Sequence, residues 1–309
     1  MEQRIIGQFG GIPGPLLICI GGIHGNEPAG IGAIEKIIQL LEKEKQNHPG
    51  FFYQGSFLGI RGNIEALKQK KRFIDRDLNR MLSYEEIHQF ESRPPNTLLQ
   101  EEKECIELLG VIQNEIHQLQ PSLTLILDLH TTTASGGVFS IAAEDKMSLS
   151  LARELHLPVI LGIASGLKGT TIDYFNHPER NEYCVVIEAG QHNDPQSVDR
   201  MVSAILNCMR ALHAVNPKYV DHSHDQLLME LGKGLPKVTR LIYHYKIRPG
   251  ENFIMKDGFK NFDIIQHGDH LATNNNGPIL SPYSGLMLMP KYQPLGDDGF
   301  FIVEEVKEN

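Results

Sequence analysis

Three residues of this chain stand where a metal ion would be held. His24 and Glu27 are three apart in Gly21-Gly22-Ile23-His24-Gly25-Asn26-Glu27, just after the apolar run of residues 16–20, LLICI. That spacing, at a strand-to-helix turn, can aim an imidazole and a carboxylate at one point. His130 closes a second apolar run, LTLILDL. Two His and one Glu are a set with which zinc hydrolases hold their ion, leaving the fourth position to water. Each residue alone has a plainer reading: His24 as a turn histidine, Glu27 as an acidic residue at the positive end of its helix, His130 as a satisfied core histidine. Their shared position at strand termini favours the metal, because ligands of open α/β sheets bind beyond the carboxyl ends of the strands. This requires the strands to be neighbours.

Glu188 closes a third run, YCVVI. A carboxylate that does not hold the metal can take a proton from water and pass it to the leaving group. Burial at a strand end would raise its pKa towards the working range; a plain ion pair with an Arg is the other reading. Asp128 lies two residues before His130 in one strand, so both side chains share a face. It is a candidate acceptor for the second N–H of a ligating imidazole, or half of a structural ion pair. Arg72, Arg76 and Arg80 are four apart, with Asp75 and Asp77 between them. On a helix this is a solvated, salt-bridged face. Alternatively the guanidinium groups fork onto a substrate carboxylate or polarise its carbonyl, with Asn79 adding an amide contact. His222 and His224, an H-x-H pair in a polar stretch, read as solvated.

The elements that must position these groups alternate. Residues 16–20, 51–60, 123–129, 158–163 and 183–187 read as strands, the first by its unbroken apolar run as buried on both faces. Asn26 is an expected N-cap for a helix carrying Ile31, Ile34, Ile37 and Leu41. Thr97-Leu98-Leu99-Gln100 reads as a capping box for a helix with face Ile106, Leu109, Ile112, Ile116 and Leu119, ended by Pro121. Asp194-Pro195 opens another, carrying Val198, Met201, Val202, Ile205 and Met209 and ending near Val215. Residues 81–95 read as a surface loop. The alternation implies an α/β domain over residues 1–215 with a largely parallel sheet. Residues 216–309 hold short apolar runs broken by Gly, Asn and Pro, the pattern of a smaller β-rich domain.

The chain has 309 residues, with 29 Lys plus Arg against 38 Asp plus Glu, a formal charge of −9. That balance disfavours a phosphate-binding surface, so no nucleic acid is expected. No uncharged run approaches the ~18 apolar residues of a membrane span. The start Met1-Glu2-Gln3-Arg4 lacks the marks of a signal peptide. Cys19, Cys105, Cys184 and Cys208 form no C-x-x-C pair, which argues against a disulfide framework or a thiolate zinc site. A reducing cytoplasm is the expected location.

Four words stand in order: GGIHGNEPAG at 21–30, RFIDRDLNR at 72–80, DLHTTT at 128–133 and VIEAGQ at 186–191. In content, order and spacing they resemble the succinylglutamate desuccinylase and aspartoacylase family, a branch of the zinc carboxypeptidase-like hydrolases. The resemblance implies a mostly parallel or mixed sheet flanked by helices, with a smaller C-terminal β-rich domain. It implies one Zn2+ per chain on His24, Glu27 and His130, Glu188 as the base that activates water, and Arg72 as the group that polarises the scissile carbonyl. It implies Asn79 and Arg80 as contacts to the amino-acid part of the substrate, with Tyr292, in MPKYQP, matching a family Tyr. The implied reaction is hydrolysis of a small anionic N-acyl amino acid, such as an N-acetyl or N-succinyl amino acid. One departure stands out. Where aspartoacylases carry a substrate-binding Arg after Thr-Thr, this chain reads Gly169-Thr170-Thr171-Ile172, and Arg180 lies in another context, HPERNEY. Recognition of a dicarboxylic amino acid is therefore not implied. The other readings are a carboxypeptidase or amidase on short peptides, and a metal-dependent binding protein without turnover. Apolar edges in the C-terminal region leave a homo-oligomer open.

Overall fold

The computed structural model describes residues 3–220 and 223–307; His222 lies outside them. The strands are β1 (Ile5–Gly10), β2 (Leu16–Gly21), β3 (Ser56–Arg61), β4 (Thr124–Thr132), β5 (Phe139–Ala142), β6 (Val159–Leu161), β7 (Glu182–Gln191), β8 (Val238–Lys246), β9 (Ile254–Met255), β10 (Ile264–Ile265), β11 (His270–Asn274), β12 (Gly277–Leu280), β13 (Gly285–Leu288) and β14 (Asp298–Glu305). Eleven of them form one mixed sheet in the order β1-β3-β2-β4-β7-β5-β6-β8-β14-β13-β10, and β12-β11-β9 form a small second sheet.

The centre of the large sheet, β3-β2-β4-β7, is parallel. β2 and β4 are buried along their whole length, as continuous apolar strands between two helical layers must be. On one face Leu17, Cys19, Leu125 and Leu127 pack with Ile34, Ile37 and Leu41 of the helix Ala29–Asn47 and with Met201, Ile205 and Met209 of the helix Ser197–Ala211. On the other, Leu16, Ile18, Ile126 and Val186 pack with Cys105, Leu108 and Ile112 of the helix Gln100–Leu119. A third cluster, Met255, Ile265, Leu271, Met287, Phe300 and Ile302, fills the C-terminal strand-rich region. Among the described residues no helix is long and apolar enough to cross a membrane.

Several local expectations shift. The first helix starts at Ala29 after Pro28, not at Asn26. Residues 24–27 instead close a turn, with Glu27 N–H donating to His24 C=O at 3.1 Å. Thr97 is not a cap: its hydroxyl donates to Pro94 C=O, while the Glu102 carboxylate accepts Leu99 N–H at 2.8 Å. Residues 81–95 are not a bare loop. Ser83 caps a helix, Tyr84–Glu91, that buries Ile87 and Phe90; two apolar positions are too few to register as a period. The strand expected over 51–60 is confined to Ser56–Arg61, and Tyr53 makes only an isolated bridge to Val215. Residues 72–77 are not helical; only Leu78–Arg80 form a single 3-10 turn. The strand-rich C-terminal region is also joined to the rest, since β8 pairs in parallel with β6 and β14 follows β8.

Candidate active site

Strand order brings the three strand ends together. β2, β4 and β7 are consecutive in the sheet, and His130 is the direct ladder partner of Glu188. After β2 the chain turns sharply. Gly22 sits at φ 74°, a left-handed conformation that favours glycine. A Cβ on Gly25 would lie 2.0 Å from the Ala66 carbonyl carbon. This turn delivers His24 and Glu27 over the end of β4.

His24 Nδ1 lies 2.9 Å from Glu27 Oε1, and His130 Nδ1 lies 3.3 Å from Glu27 Oε2. The three side chains are buried and offer ligand atoms within 4.8 Å of one another. The opposite nitrogens each meet another carboxylate: His24 Nε2 lies 3.1 Å from Asp77 Oδ1, and His130 Nε2 lies 2.8 Å from Asp128 Oδ2. Thr171 donates its hydroxyl to the same Asp128 oxygen at 2.6 Å. Two imidazoles and a carboxylate converging, with each imidazole backed by an acceptor, are a donor set suited to zinc. The residues present therefore fit the ion.

Arg72 donates from Nε and Nη2 to Asp77 Oδ2 at 3.1 and 2.9 Å, with Nη1 3.7 Å from Glu27 Oε1. The loop carrying it is held from below. Buried Glu101 accepts the backbone N–H groups of Ile74, Asp75 and Arg76 and the side-chain amide of Asn63. Gly25 N–H donates to Arg72 C=O at 3.2 Å. Asn79 uses its amide oxygen on Thr171 N–H at 2.9 Å, tying the Arg72–Arg80 segment to the Thr170-Thr171 turn.

Burial sets the charges. It pushes the Glu188 carboxyl well above the ordinary range, and neighbouring Glu27 and Asp128 add to this against the pull of His130 and Arg72. Glu188 Oε2 is buried without a hydrogen-bond partner among the described residues. Burial also penalises the charged form of Glu27, but the His24 and His130 imidazoles outweigh it and hold the carboxyl well below its usual value. Asp77 is likewise held low against its burial, by His24 and Arg72.

A cavity of about 120 Å3 opens on these groups, lined by His24, Glu27, Arg72, Asn79, Arg80, His130 and Glu188. Tyr292 is not among its lining. It borders the adjoining groove with Lys70 and Pro294, and its hydroxyl donates to the backbone carbonyls of Lys256 and Phe259. Arg180 sits on the surface, paired with Glu182 at 3.1 Å and near the Tyr84 hydroxyl. Glu101, Lys291 and Asp298 also belong to the cavity or its supports without standing out in the sequence, and Asp77 and Thr171 have closer roles than their positions alone imply. Asp77 and Thr171 stand inside the quoted words or turns, beside residues already singled out. Asp298 carried no local signal, since its partners Arg80 and His244 are remote in sequence.

The family model of the succinylglutamate desuccinylase/aspartoacylase catalytic domain matches residues 13–212. An N-acyl-aromatic-L-amino acid amidohydrolase (carboxylate-forming) of Xenopus tropicalis is 30% identical over 142 residues, 45% of this chain and 41% of that protein. A probable aspartoacylase of Nostoc sp. is 32% identical over 139 residues, 44% of this chain and 42% of that protein. The matches thus span about two-fifths of the length of these relatives. Among solved structures, succinylglutamate desuccinylase from Vibrio parahaemolyticus superposes with a TM-score of 0.62 at 17% identity, covering 96% of this chain and 83% of that one. The succinylglutamate desuccinylase/aspartoacylase from Rhodobacter sphaeroides gives 0.63 at 15% identity, covering 97% and 88%. These likenesses agree with the fold described above.

Proposed function

Because this chain belongs to the succinylglutamate desuccinylase/aspartoacylase family, we propose that it is a zinc-dependent amidohydrolase that cleaves the amide of a small N-acyl amino acid, releasing a carboxylate and a free amino acid. The observation that carries this reading is a convergent His24–Glu27–His130 set beside a carboxylate, Glu188, whose Oε2 has no hydrogen-bond partner among the described residues. A bound zinc would supply a Lewis acid and acidify the attacking water. Glu188 takes the proton from that water and passes it to the departing nitrogen; its raised pKa suits both transfers. Arg72, oriented by its two bonds to Asp77, stabilises the negative charge that develops on the carbonyl oxygen. Asp77 and Asp128 orient the two imidazoles. Asn79 and Arg80 form the wall against which the amino-acid half of the substrate rests.

In this reading residues 1–215 carry the reaction and residues 216–309 narrow the cavity from one side. Lys291, Leu295 and Asp298 are among the lining residues from that region. The pocket over these groups measures about 120 Å3 and is continued by the groove that Tyr292 borders, so the choice between small acyl amino acids and short peptides rests on assay. The four cysteines are free and buried, which suits a reducing cytoplasm. A deacylation screen over N-acetyl and N-succinyl amino acids, with and without chelator, tests the proposal. Chelator-sensitive release of a free amino acid is expected. Tight binding of ligand without any turnover would favour a binding protein instead, and efficient trimming of pentapeptides would favour a carboxypeptidase.

A further inference from the structure

Three cations line the cavity: Arg72, Arg80 and Lys291. A substrate carboxylate gains most from a cation that no protein carboxylate already neutralises, and two of the three arrive already compensated. Arg72 is paired with Asp77 and faces Glu27. Arg80 is paired with Asp298, whose other oxygen lies 2.8 Å from His244 Nε2, and Arg80 also donates to the Asn79 carbonyl at 2.5 Å. Lys291 differs. Its ammonium has a single weak contact, to Pro294 C=O at 3.4 Å, and no carboxylate within ion-pair distance among the described residues. Asp297 and Asp298 are near enough to favour its charge, but burial and Arg72 oppose it, and the ammonium is held below the usual lysine value. An ammonium in that setting gains from an added anion.

Its position is fixed by its neighbours. Lys291 N–H donates to Gly299 C=O at 2.9 Å. The next residue, Tyr292, is tied by its N–H to the Thr133 hydroxyl and by its own hydroxyl to two carbonyls. Tyr292 therefore fastens the segment whose preceding residue reaches the cavity. Much of the remaining wall is apolar, including Ile141, Ile163, Ile172, Val186 and Phe301. A second substrate carboxylate would find no further uncompensated cation there.

Resting on the reading above, we propose that Lys291 anchors the carboxylate of the substrate, and that the cavity takes substrates with one carboxylate and an apolar remainder.

The test compares N-acetyl-leucine with N-acetyl-leucinamide on the wild-type holoenzyme, Lys291→Met and Lys291→Arg. The wild type should favour the acid about ten- to a hundredfold in kcat/KM, the worth of one hydrogen bond to a charged group, chiefly through KM. Lys291→Met should bring acid and amide within about twofold, by lowering kcat/KM on the acid more than on the amide, and Lys291→Arg should restore the preference. A Lys291→Met enzyme that keeps the wild-type preference overturns the anchor while the amidohydrolase reading stands. N-acetyl-aspartate outcompeting N-acetyl-leucine on the wild type overturns the single-carboxylate claim. If the wild type hydrolyses neither compound, the reaction reading fails separately. Calorimetric binding of the same pair then decides: acid preference lost in Lys291→Met supports the anchor, and equal or absent binding of the pair by the wild type refutes it. Should Lys291→Met melt below the assay temperature, Lys291→Gln replaces it with the same expectations.

Discussion

Glu188 stands directly opposite His130 across the β4–β7 ladder, yet its Oε2 meets no donor among the described residues. A buried carboxylate oxygen without a partner is costly in a structural role and useful in a proton-transferring one. Glu188→Gln keeps the shape and removes the base. Turnover should fall by about 10²- to 10⁴-fold, the usual contribution of general acid–base catalysis, with zinc content at the wild-type level. Metal analysis beside kcat checks both; near-normal kcat would remove Glu188 from the mechanism.

The same carboxyl sets a pH limb. Its pKa is raised above the ordinary value of 4.5, first by burial and then by Glu27 and Asp128. The base works deprotonated, so kcat/KM should climb with pH as Glu188 loses its proton. The midpoint should lie above the ordinary carboxylate range. A pH–rate profile flat down to the range of an exposed Glu would contradict the assignment.

The two imidazoles should differ from their supports in how much metal they control. His24→Ala removes a donor and should leave the protein with little zinc after dialysis. Asp128→Asn keeps His130 in place but weakens its acceptor, 2.8 Å away; zinc affinity should drop by about 10- to 100-fold. Competition with a chromophoric chelator measures both. Equal affinity in Asp128→Asn and wild type would make the Asp128–His130 contact a structural pair only.

That His24, Glu27, His130 and Glu188 would emerge near strand ends was legible in the sequence, because each follows an apolar run by a few residues and a strand end fixes where such a residue emerges. What could not be read was which strands are neighbours. The antiparallel insertion of β5 between β7 and β6 leaves only four residues of apolar pattern. The Arg72–Arg80 segment misled in another way. Its four-residue spacing mimics a helix, but its backbone donors go to the remote Glu101 carboxylate rather than to each other. Tyr292 borders the adjoining groove while its neighbours Lys291 and Gln293 line the cavity, since without regular strand pairing the direction of each side chain is not encoded locally.

Glu101 makes that tertiary override measurable. Glu101→Ala leaves three backbone N–H groups of the loop without their acceptor. At about 1–3 kcal/mol for a buried donor left unsatisfied, with some water entering, a loss of at least ~2 kcal/mol is expected in urea unfolding. Because the loop carries Arg72 and Asp77, kcat should fall as well, and Glu101→Gln, which keeps an acceptor oxygen, should recover part of both. A Glu101→Ala protein as stable and active as wild type would show that the loop is held by its other contacts.

Asp298 ties the C-terminal region to the cavity. Burial alone would raise its pKa, but the contacts to His244 and Arg80 outweigh this and hold the carboxyl well below the usual value of 3.8. A carboxyl whose folded pKa is depressed stabilises the fold fully above its unfolded pKa, and that share is lost as pH falls through the folded value. The stability gap between wild type and Asp298→Asn should therefore shrink as pH falls below about pH 3.9, where the unfolded carboxyl begins to protonate. Arg80→Ala should leave Asp298 facing the cavity with His244 as its remaining partner, so KM for an anionic substrate should rise while kcat changes less. In the double variant Arg80→Ala/Asp298→Asn, KM should fall back towards the Asp298→Asn value, because the carboxylate charge is gone. Equal KM in the Arg80→Ala and double variants would mean that Arg80 itself contacts the substrate carboxylate and that the Arg80–Asp298 pair does not neutralise it.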